Sequence, residues 1–417
     1  MHISIISIDM TKDINKIGIV GLGYVGLPLF SLFSQKYECW GIDNDALRTK
    51  MLQTGIDMRK CLKEQELSNA LQYSHITNDW NDLTCCNIFI VAVPTPVDKE
   101  KRPDFTYLEE ACKAVGNILS RENIVIFEST VYPGTTDEIC IPILEKTSGL
   151  VVNKDFSVAY SPERINVGDK IHQLDNVPKI VSASNQQALE LVADLYGSVI
   201  NAEVVRASNI KVAEAAKMYE NVQRDVLIAL ANQYSDYCRE EGIDIQEVTD
   251  CAATKWNFSN VKPGLVGGHC IGVDAYYLLQ RSFEKGCNQS LVNTARSINE
   301  DKVCQVTDRI VKLASSINKE LCIQKVLILG FSYKPNTSDI RNTKISDLLI
   351  SLKQRFGFVD CYDPMVDYII AEKEYSIKLI DSDSLDINQY DITILAVNHD
   401  CFKDFNSKGL INITDLL

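Results

Sequence analysis

The sequence of 417 residues lacks the features of three classes of protein. Its five histidines are scattered and its cysteines form no Cys-x-x-Cys pair, so a zinc site is not expected. No apolar run approaches the ~18 residues of a membrane span, and the short apolar start Ile3–Ile8 is too brief for a signal peptide. Basic residues are in deficit, with 42 Lys and Arg against 56 Asp and Glu. The resulting net charge of −14 argues against nucleic acid as a partner.

Cysteine, by contrast, is abundant, with fourteen residues. Cys86, Cys238 and Cys322 lie within apolar or helical segments, which is typical of reduced thiols rather than of a disulfide framework. Together with the missing signal peptide, this predicts a cytoplasmic protein. A chain of this length is expected to form two or three domains.

The most specific local pattern is Gly21-x-Gly23-x-x-Gly26. It follows an apolar run, opens a helical pattern, and precedes a second run, Tyr37–Ile42, that ends in Asp43. A strand, a glycine turn, a helix, a strand and an acid form the unit that binds a dinucleotide pyrophosphate at a helix N-terminus. Asp43 would bind the ribose hydroxyls. No arginine follows it directly, so NAD is favoured over NADP.

The remaining patterns divide the chain into three regions. Strand and helix patterns alternate up to about residue 207, which predicts a parallel sheet covered on both faces. The stretch Asn209–Glu241 holds no Pro or Gly and predicts a helix of roughly 50 Å that ends at Gly242. Strand and helix patterns return at Lys325. We therefore predict an α/β protein with two Rossmann-like doubly wound domains, 1–207 and 319–417, joined by a long central helix and a helical middle domain, 208–318.

Three further patterns are weak when taken singly. The glycine-rich run Gly264–Asp274 places Cys270 ahead of a helix-like stretch, where a helix dipole favours the thiolate. A buried, apolar cysteine is the competing interpretation. Lys217 and Asn221 lie four residues apart and would project from one helix face, unless the lysine is simply solvated. Glu128-Ser129-Thr130 ends an apolar strand, where ligands gather in open α/β sheets.

Taken together, the patterns resemble those of a known family. Six segments carry the resemblance in chain order: Gly21–Pro28, Val93–Pro96, Ser129–Val131, Ser161–Arg164, Gly267–Cys270 and Phe331–Arg341. Residues 15–417 are similar to the UDP-glucose/GDP-mannose dehydrogenase family of nucleotide-sugar 6-dehydrogenases. The resemblance implies oxidation of a sugar C6 alcohol to a carboxylate, with two NAD⁺ used in succession and a thiohemiacetal and a thioester formed on a cysteine.

The resemblance also implies roles for individual residues. Cys270 matches the nucleophile, Lys217 and Asn221 the pair that stabilises the oxyanion, and Asp274 an acid that positions water. Thr130 and Glu163 match residues that hold water or transfer protons. The expected cofactor contacts are Gly21, Gly23, Tyr24, Val25, Gly26, Asp43, Arg48, Pro94, Thr95, Glu128, Thr130 and Arg341. The expected substrate contacts are Glu163, Arg164, Lys217, Asn221, His269, Arg296, Phe331 and Lys334, with a structural role left open for His269 and for Arg296.

Two departures from the family bear on the substrate. Members that act on UDP-glucose carry a second glutamate where this chain has Val167, which leaves the general base open. The run around Cys270 is similar to the branch that oxidises UDP-N-acetylhexosamines. We therefore predict a homodimeric UDP-N-acetylglucosamine or UDP-N-acetylgalactosamine 6-dehydrogenase of polysaccharide biosynthesis, with the region from residue 319 binding the UDP-sugar.

Alternative functions remain. UDP-N-acetylmannosamine or UDP-glucose is an alternative substrate. A two-electron hydroxyacid dehydrogenase would share the first domain, but it needs neither Cys270 nor a third α/β region. A non-catalytic protein that binds nucleotide sugars and NAD is the remaining class.

Overall fold

The computed structural model describes residues 16–165, 173–317, 319–403, 405 and 410–417. Two compact units divide the chain, Met1–Tyr219 and Glu220–Leu417, and the division falls inside one helix. The substitution at Val167 lies outside the described residues. In the part of the chain that is described, no helix is both long and apolar enough to span a membrane.

The first unit is built on a sheet of eight strands. They are β1 (Lys16–Val20), β2 (Glu38–Ile42), β3 (His75–Thr77), β4 (Ile88–Val91), β5 (Ile124–Phe127), β6 (Ser157–Tyr160), β7 (Lys179–Ala183) and β8 (Val204–Arg206). Their order is β3-β2-β1-β4-β5-β6-β7-β8, which confirms the doubly wound arrangement. One pair corrects the all-parallel expectation, because β6 and β7 are antiparallel. The described part of their connection contains no crossover helix, and a parallel pair would need one.

Apolar residues alternate between the two faces of this sheet. In β4, Ile88 and Ile90 join one core cluster, while Phe89 and Val91 join the cluster on the other side. A sheet with two apolar faces has to be covered on both. The helices of the unit are α1 (Gly26–Phe33), α2 (Ala46–Gln53), α3 (Glu64–Ala70), α4 (Thr106–Ile118), α5 (Ile141–Ser148) and α6 (Gln186–Gly197).

The long helix α7 (Ile210–Glu241) has the ends that its sequence predicts. The Asn209 side chain accepts a hydrogen bond of 3.0 Å from the Val212 N–H, and Gly242 leaves the helix with φ +70°. Three helices follow: α8 (Ile245–Ala252), α9 (Ile271–Glu284) and α10 (Ser290–Ala314). Helix α9 therefore begins directly after Cys270, within the glycine-rich run Gly264–Asp274.

The second unit also contains a smaller sheet, in which all four strands are parallel. These strands are β9 (Lys325–Leu329), β10 (Phe358–Tyr362), β11 (Ile392–Leu395) and β12 (Leu410–Asn412), in the order β10-β9-β11-β12. Helices α11 (Lys344–Lys353) and α12 (Tyr368–Tyr375) contribute side chains to its core, as does α10. The predicted second α/β region is confirmed.

Candidate active site

The glycine turn after β1 has the shape that a dinucleotide needs. Gly21 has φ +91°, and a Cβ on Gly26 would lie 1.7 Å from the carbonyl oxygen of Gly21. Neither position accepts a side chain. At Gly23 the nearest atom to an added Cβ is 4.0 Å away, on Arg59, so the turn is open where a pyrophosphate would approach the backbone. Tyr24 and Val25 complete the turn and are half-buried.

Asp43 and Arg48 fix this turn through hydrogen bonds to its backbone. One carboxylate oxygen of Asp43 accepts the Leu22 N–H at 2.8 Å, and the other accepts the Asp45 N–H at 3.0 Å. The buried Arg48 donates from Nε to the Leu22 carbonyl at 2.6 Å and pairs with Asp57. Its Nη2 is buried without a partner among the described residues. A half-buried acid and a cation with a spare donor at the end of β2 fit an adenosine ribose, so these residues suit the predicted cofactor.

The loops after β4 and β5 are tied to each other. The Thr95 hydroxyl donates to the Thr130 carbonyl, and the Ser129 hydroxyl donates to the Val93 carbonyl, both at 2.7 Å. Both loops leave the carboxyl ends of neighbouring parallel strands, the usual ligand edge of such sheets. Pro94 is exposed there and Thr130 is half-buried, so both are reachable from solvent.

Glu128 already has internal partners. Its carboxylate accepts from Lys179 Nζ at 2.5 Å and from the Tyr196 hydroxyl. Burial raises the pKa of Glu128 even against the attraction of Lys179. These contacts fix the Glu128 carboxylate inside the first unit, and its contact with the cofactor stays a prediction.

Lys217 and Glu163 are brought together in the same unit. Lys217 Nζ donates to the Glu163 main-chain carbonyl, while the Glu163 side chain accepts from the Ile165 N–H. Within the described part of the chain Glu163 Oε2 has no hydrogen bond, and it lies 3.9 Å from Lys179 Nζ. Among the described residues Lys217 has no carboxylate partner, although it is 94% buried (6% exposed). Its charge therefore remains available to a developing anion. Arg164 points elsewhere and donates to the Pro178 carbonyl.

Glu214 lies three residues before Lys217 on α7, and sequence reasoning missed it. Its carboxylate accepts the Gly134 N–H at 2.5 Å and the Thr136 N–H at 2.9 Å, just after the Thr130 loop. Burial raises the pKa of Glu214 to about 7. The signal that could have found it is a buried polar stripe on one helix face, which continues at Asn221 and Asp225.

In the second unit, Cys270 lies at the N-terminus of α9 as predicted. It occupies the N-cap position, and its carbonyl accepts the Asp274 N–H at 2.9 Å, so one helical turn separates the two side chains. Asn221 Nδ2 donates to Asp274 Oδ2 at 2.6 Å. The structure thus groups Cys270, Asp274 and Asn221. A thiol at this end of a helix is exposed to the positive end of its dipole.

The glycines before Cys270 allow a close backbone approach. An added Cβ would lie 2.8 Å from the Asn342 carbonyl at Gly267 and 2.9 Å from the Tyr333 ring at Gly268. Farther back, the Asn232 side chain pairs with both the N–H and the carbonyl of Gly264. The loop that carries the cysteine is therefore fixed at two points.

His269 lies beside Arg341. Burial, together with the positive charge of Arg341, lowers the pKa of His269 to about 4, so the imidazole is neutral at physiological pH. Arg341 itself makes a bidentate pair with Asp339, with contacts of 2.6–3.2 Å.

Two predicted substrate contacts are interior residues. Arg296 is 2% exposed, donates to Asp225 at 2.6 Å, and also pairs with Glu300. The Phe331 ring is fully buried and packs edge-to-face on Tyr375 at 5.6 Å. Tyr333, which the sequence did not single out, is half-buried and lines a cavity of about 150 Å³ with Gly267, Ser332 and Lys344. Lys334 is next in the same loop, with its Nζ 5.4 Å from the Tyr333 ring centre.

Comparison with known proteins gives the family. Three domain models of the UDP-glucose/GDP-mannose dehydrogenase family match: the NAD binding domain at residues 15–200, the central domain at 211–301 and the UDP binding domain at 327–414. The chain is 43% identical to a UDP-N-acetyl-D-glucosamine 6-dehydrogenase of Salmonella typhi, over 95% of this chain and 92% of that protein. It is 42% identical to protein CapL of Staphylococcus aureus, over 96% and 97% respectively.

A solved structure agrees with these sequence matches. The UDP-D-ManNAc dehydrogenase of Pyrococcus horikoshii superposes with a TM-score of 0.87 at 29% identity, covering 96% of each chain. The matched NAD binding domain contains the glycine turn, Asp43 and Arg48, which identifies NAD as the cofactor. The chain belongs to the UDP-glucose/GDP-mannose dehydrogenase family of NAD-dependent nucleotide-sugar dehydrogenases.

Proposed function

We propose that this protein is a UDP-N-acetylhexosamine 6-dehydrogenase that oxidises UDP-GlcNAc or UDP-GalNAc to the corresponding uronate. The observation that carries the proposal is Cys270 at the start of α9, one turn from an aspartate that Asn221 holds. A two-electron dehydrogenase needs no such thiol. Relatives named UDP-N-acetyl-D-glucosamine 6-dehydrogenase in Salmonella typhi and Pseudomonas aeruginosa, each 43% identical, support the sugar.

Cys270 would make the reaction a four-electron one. The glycine turn and Asp43 would hold NAD⁺, which supplies the hydride acceptor for each of two successive oxidations at C6. The Cys270 thiolate adds to the C6 aldehyde, forming a C–S bond and placing the negative charge on oxygen. Loss of the second hydride leaves a thioester. Water then breaks the C–S bond, releasing the carboxylate and returning the thiol.

The family resemblance assigns roles toward the charged species to polar groups of each unit. Asn221 offers an amide donor to the oxyanion, and Lys217 offers a buried charge that no described carboxylate neutralises. Asp274, one turn from the thiol, would orient the hydrolytic water. Thr130 and Glu163 would hold water or transfer protons, with Glu163 Oε2 still able to accept a hydrogen bond.

The UDP group would be bound by the matched UDP binding domain. The cavity lined by Tyr333 and Lys344 lies where β9 and β11 end, at the carboxyl edge of the smaller sheet. Its volume of about 150 Å³ is several times that of one water molecule. Lys334 would supply a cation for a diphosphate, whereas Lys344 already pairs with Glu300 at 2.6 Å and with Asp347 at 3.1 Å. His269, which is neutral at physiological pH and lies beside Arg341, would contact the sugar.

Assembly and location complete the proposal. Leu230, Tyr234 and Tyr237 follow one another along α7 with 60%, 48% and 53% of their surface exposed. Such an apolar row supports a homodimer formed through α7. None of the fourteen cysteines forms a disulfide, which supports a cytoplasmic location. The uronate product would serve synthesis of capsule, O-antigen or another polysaccharide.

A second candidate substrate is UDP-N-acetylmannosamine. The likeness to the Pyrococcus horikoshii enzyme, at 29% identity over 96% of each chain, favours it. A relative of that name in Methanocaldococcus jannaschii is 30% identical over 95% of this chain.

One assay separates these possibilities. NADH formation is followed with UDP-GlcNAc, UDP-GalNAc, UDP-ManNAc and UDP-glucose in parallel, and the uronate is quantified. We expect two NADH per uronate, with UDP-GlcNAc or UDP-GalNAc preferred. A ratio of one would contradict the four-electron mechanism, and equal rates with UDP-glucose would contradict the acetylated substrate. If none of the four sugars is turned over, the family assignment stands, but the result points to a different sugar or to a binding role.

A further inference from the structure

The two sheets begin with the same backbone arrangement. The glycine after the first strand of each sheet has positive φ, +91° at Gly21 and +95° at Gly330. In both, the next N–H donates to an aspartate that directly follows the neighbouring strand, at 2.8 Å to Asp43 and at 2.7 Å to Asp363. Asp363 thus occupies the position that holds a ribose in a dinucleotide-binding sheet.

The two aspartates differ in what surrounds them. Asp43 is half-buried, whereas Asp363 is fully buried beneath His399, whose Nε2 lies 3.1 Å from Oδ2. His399 Nδ1 accepts the Asn336 N–H at 2.9 Å, so Nε2 carries a ring proton, which points toward Asp363. Burial alone would raise the pKa of Asp363, but the imidazole and the two N–H donors hold that pKa below its usual value.

His399 therefore connects the two ends of the loop 331–336. At the start, Asp363 accepts the N–H groups of Phe331 and Ser332 at 2.7 and 3.0 Å. At the end, Asn336 is bound through its N–H to His399 and through its side chain to both the N–H and the carboxylate of Asp400, at 2.9 Å each.

The middle of the loop carries the residues that face the cavity. Ser332 Oγ, 3.3 Å from His399 Nε2, donates to the Lys334 carbonyl at 3.0 Å. Tyr333 lines the cavity. Asn336 has φ +57°, an uncommon conformation that these hydrogen bonds maintain.

We propose that His399 is a positioning residue for nucleotide binding in the second unit. Its imidazole holds the loop 331–336 in the conformation that presents Tyr333 and Lys334 to the nucleotide. It also binds Asp363, so that this carboxylate is not available to a ligand ribose. This proposal rests on the proposed function only in taking UDP as the ligand of that loop. It assigns His399 no contact with the substrate.

The test compares His399→Ala, His399→Asn and His399→Gln. Asparagine can still accept the Asn336 N–H at the place of Nδ1, and glutamine can still donate to Asp363 at the place of Nε2. We expect His399→Ala to weaken UDP binding, measured by calorimetry, by about 10-fold, since two hydrogen bonds of ordinary strength are lost. The KM for the nucleotide sugar should rise equally, with kcat changed less than about 2-fold and NAD affinity unchanged. Each single-contact variant should recover part of the UDP affinity.

A control variant and the UDP affinity of the wild type separate a specific effect of His399 from other causes. His75→Ala removes an exposed histidine of the first unit and should leave UDP binding unchanged. A folded His399→Ala that binds UDP as the wild type does would overturn the inference. If His399→Ala fails to fold, equal UDP affinity in wild type, His399→Asn and His399→Gln would overturn it. A wild-type protein that does not bind UDP at all would instead count against the proposed function.

Discussion

Two lysines of the first unit are both almost fully buried, yet their surroundings differ. Lys179 faces the Glu128 carboxylate at 2.5 Å, whereas Lys217 donates to a neutral carbonyl. In a buried ion pair each charge is compensated mainly by its partner, so Lys179 is suited to a structural role. The charge of Lys217 is suited to a transient anion.

Lys217→Ala tests this difference. We expect kcat to fall by about 100-fold or more, the usual effect of removing an oxyanion donor, with little change in NAD affinity. The matched control is Lys211→Ala, an exposed lysine on the same helix that pairs with Asp137 at 3.7 Å. Unchanged turnover accompanied by a lower melting temperature would show that Lys217 only holds the Glu163 carbonyl.

Cys270→Ser tests covalent catalysis. Serine keeps the size and the N-cap position, but its hydroxyl is a far weaker nucleophile than a thiolate, so uronate production should be lost while NAD affinity is retained. Both are measured directly, by product quantification and by NAD titration. Cys287→Ser, an exposed cysteine just beyond α9, is the control. Wild-type uronate yield in the Cys270 variant would rule out the thioester.

At the scale of an element, the turn between β1 and α1 shows that close packing and ligand binding depend on different glycines of one motif. Gly26 is required because the helix begins against the Gly21 carbonyl, whereas Gly23 faces open space. The three glycines of one motif therefore do not carry equal structural weight. Substitution of Gly26 should therefore destabilise the fold, whereas substitution of Gly23 should weaken ligand binding.

Gly26→Ala and Gly23→Ala separate these effects. We expect Gly26→Ala to destabilise the protein by more than about 3 kcal/mol, since its Cβ would overlap a carbonyl oxygen. Gly23→Ala should unfold at the wild-type urea concentration but bind NAD at least about 10-fold more weakly. Gly197→Ala, whose Cβ would have its nearest neighbour at 3.7 Å, serves as the control. Equal losses of stability at residues 23 and 26 would contradict this division.

At the scale of the whole molecule, an acidic chain buries several of its carboxyl groups. Burial raises the pKa of Glu214, Glu128 and Asp225. Each then keeps its proton in the folded protein at a pH where the unfolded chain has released it. Stability consequently falls as the pH rises between the unfolded and the folded pKa of each group.

Glu214 gives the measurable case, since its pKa rises from 4.5 to about 7. Its contribution to the unfolding free energy should decline by up to about 3 kcal/mol between pH 4.5 and 7 and then level off. Urea unfolding of the full chain, followed by tryptophan fluorescence at several pH values, should show this slope in the wild type and not in Glu214→Gln. The exposed Glu110→Gln should keep the wild-type slope. An identical slope in Glu214→Gln would mean that another group titrates.

Local features were predictable from the sequence because neighbouring residues determine them. The glycine turn with Asp43, the limits of α7, the apolar strands, and the position of Cys270 at a helix start follow from backbone conformation, capping and two- or 3.6-residue periodicity. The family motifs led to the correct family for the same reason, since each is a short run of residues.

Only the tertiary structure decided which buried groups meet. Glu214 reaches the Gly134 N–H across 80 positions, Lys179 reaches Glu128 across 51, and His399 reaches Asp363 across 36. No periodicity in a single chain encodes such pairs, because a buried charge can be satisfied by any suitable partner that the fold brings within hydrogen-bond distance. That is why the sequence determined the NAD turn and the place of Cys270, while the buried partners of Glu128, Arg296 and Phe331 became apparent only in three dimensions.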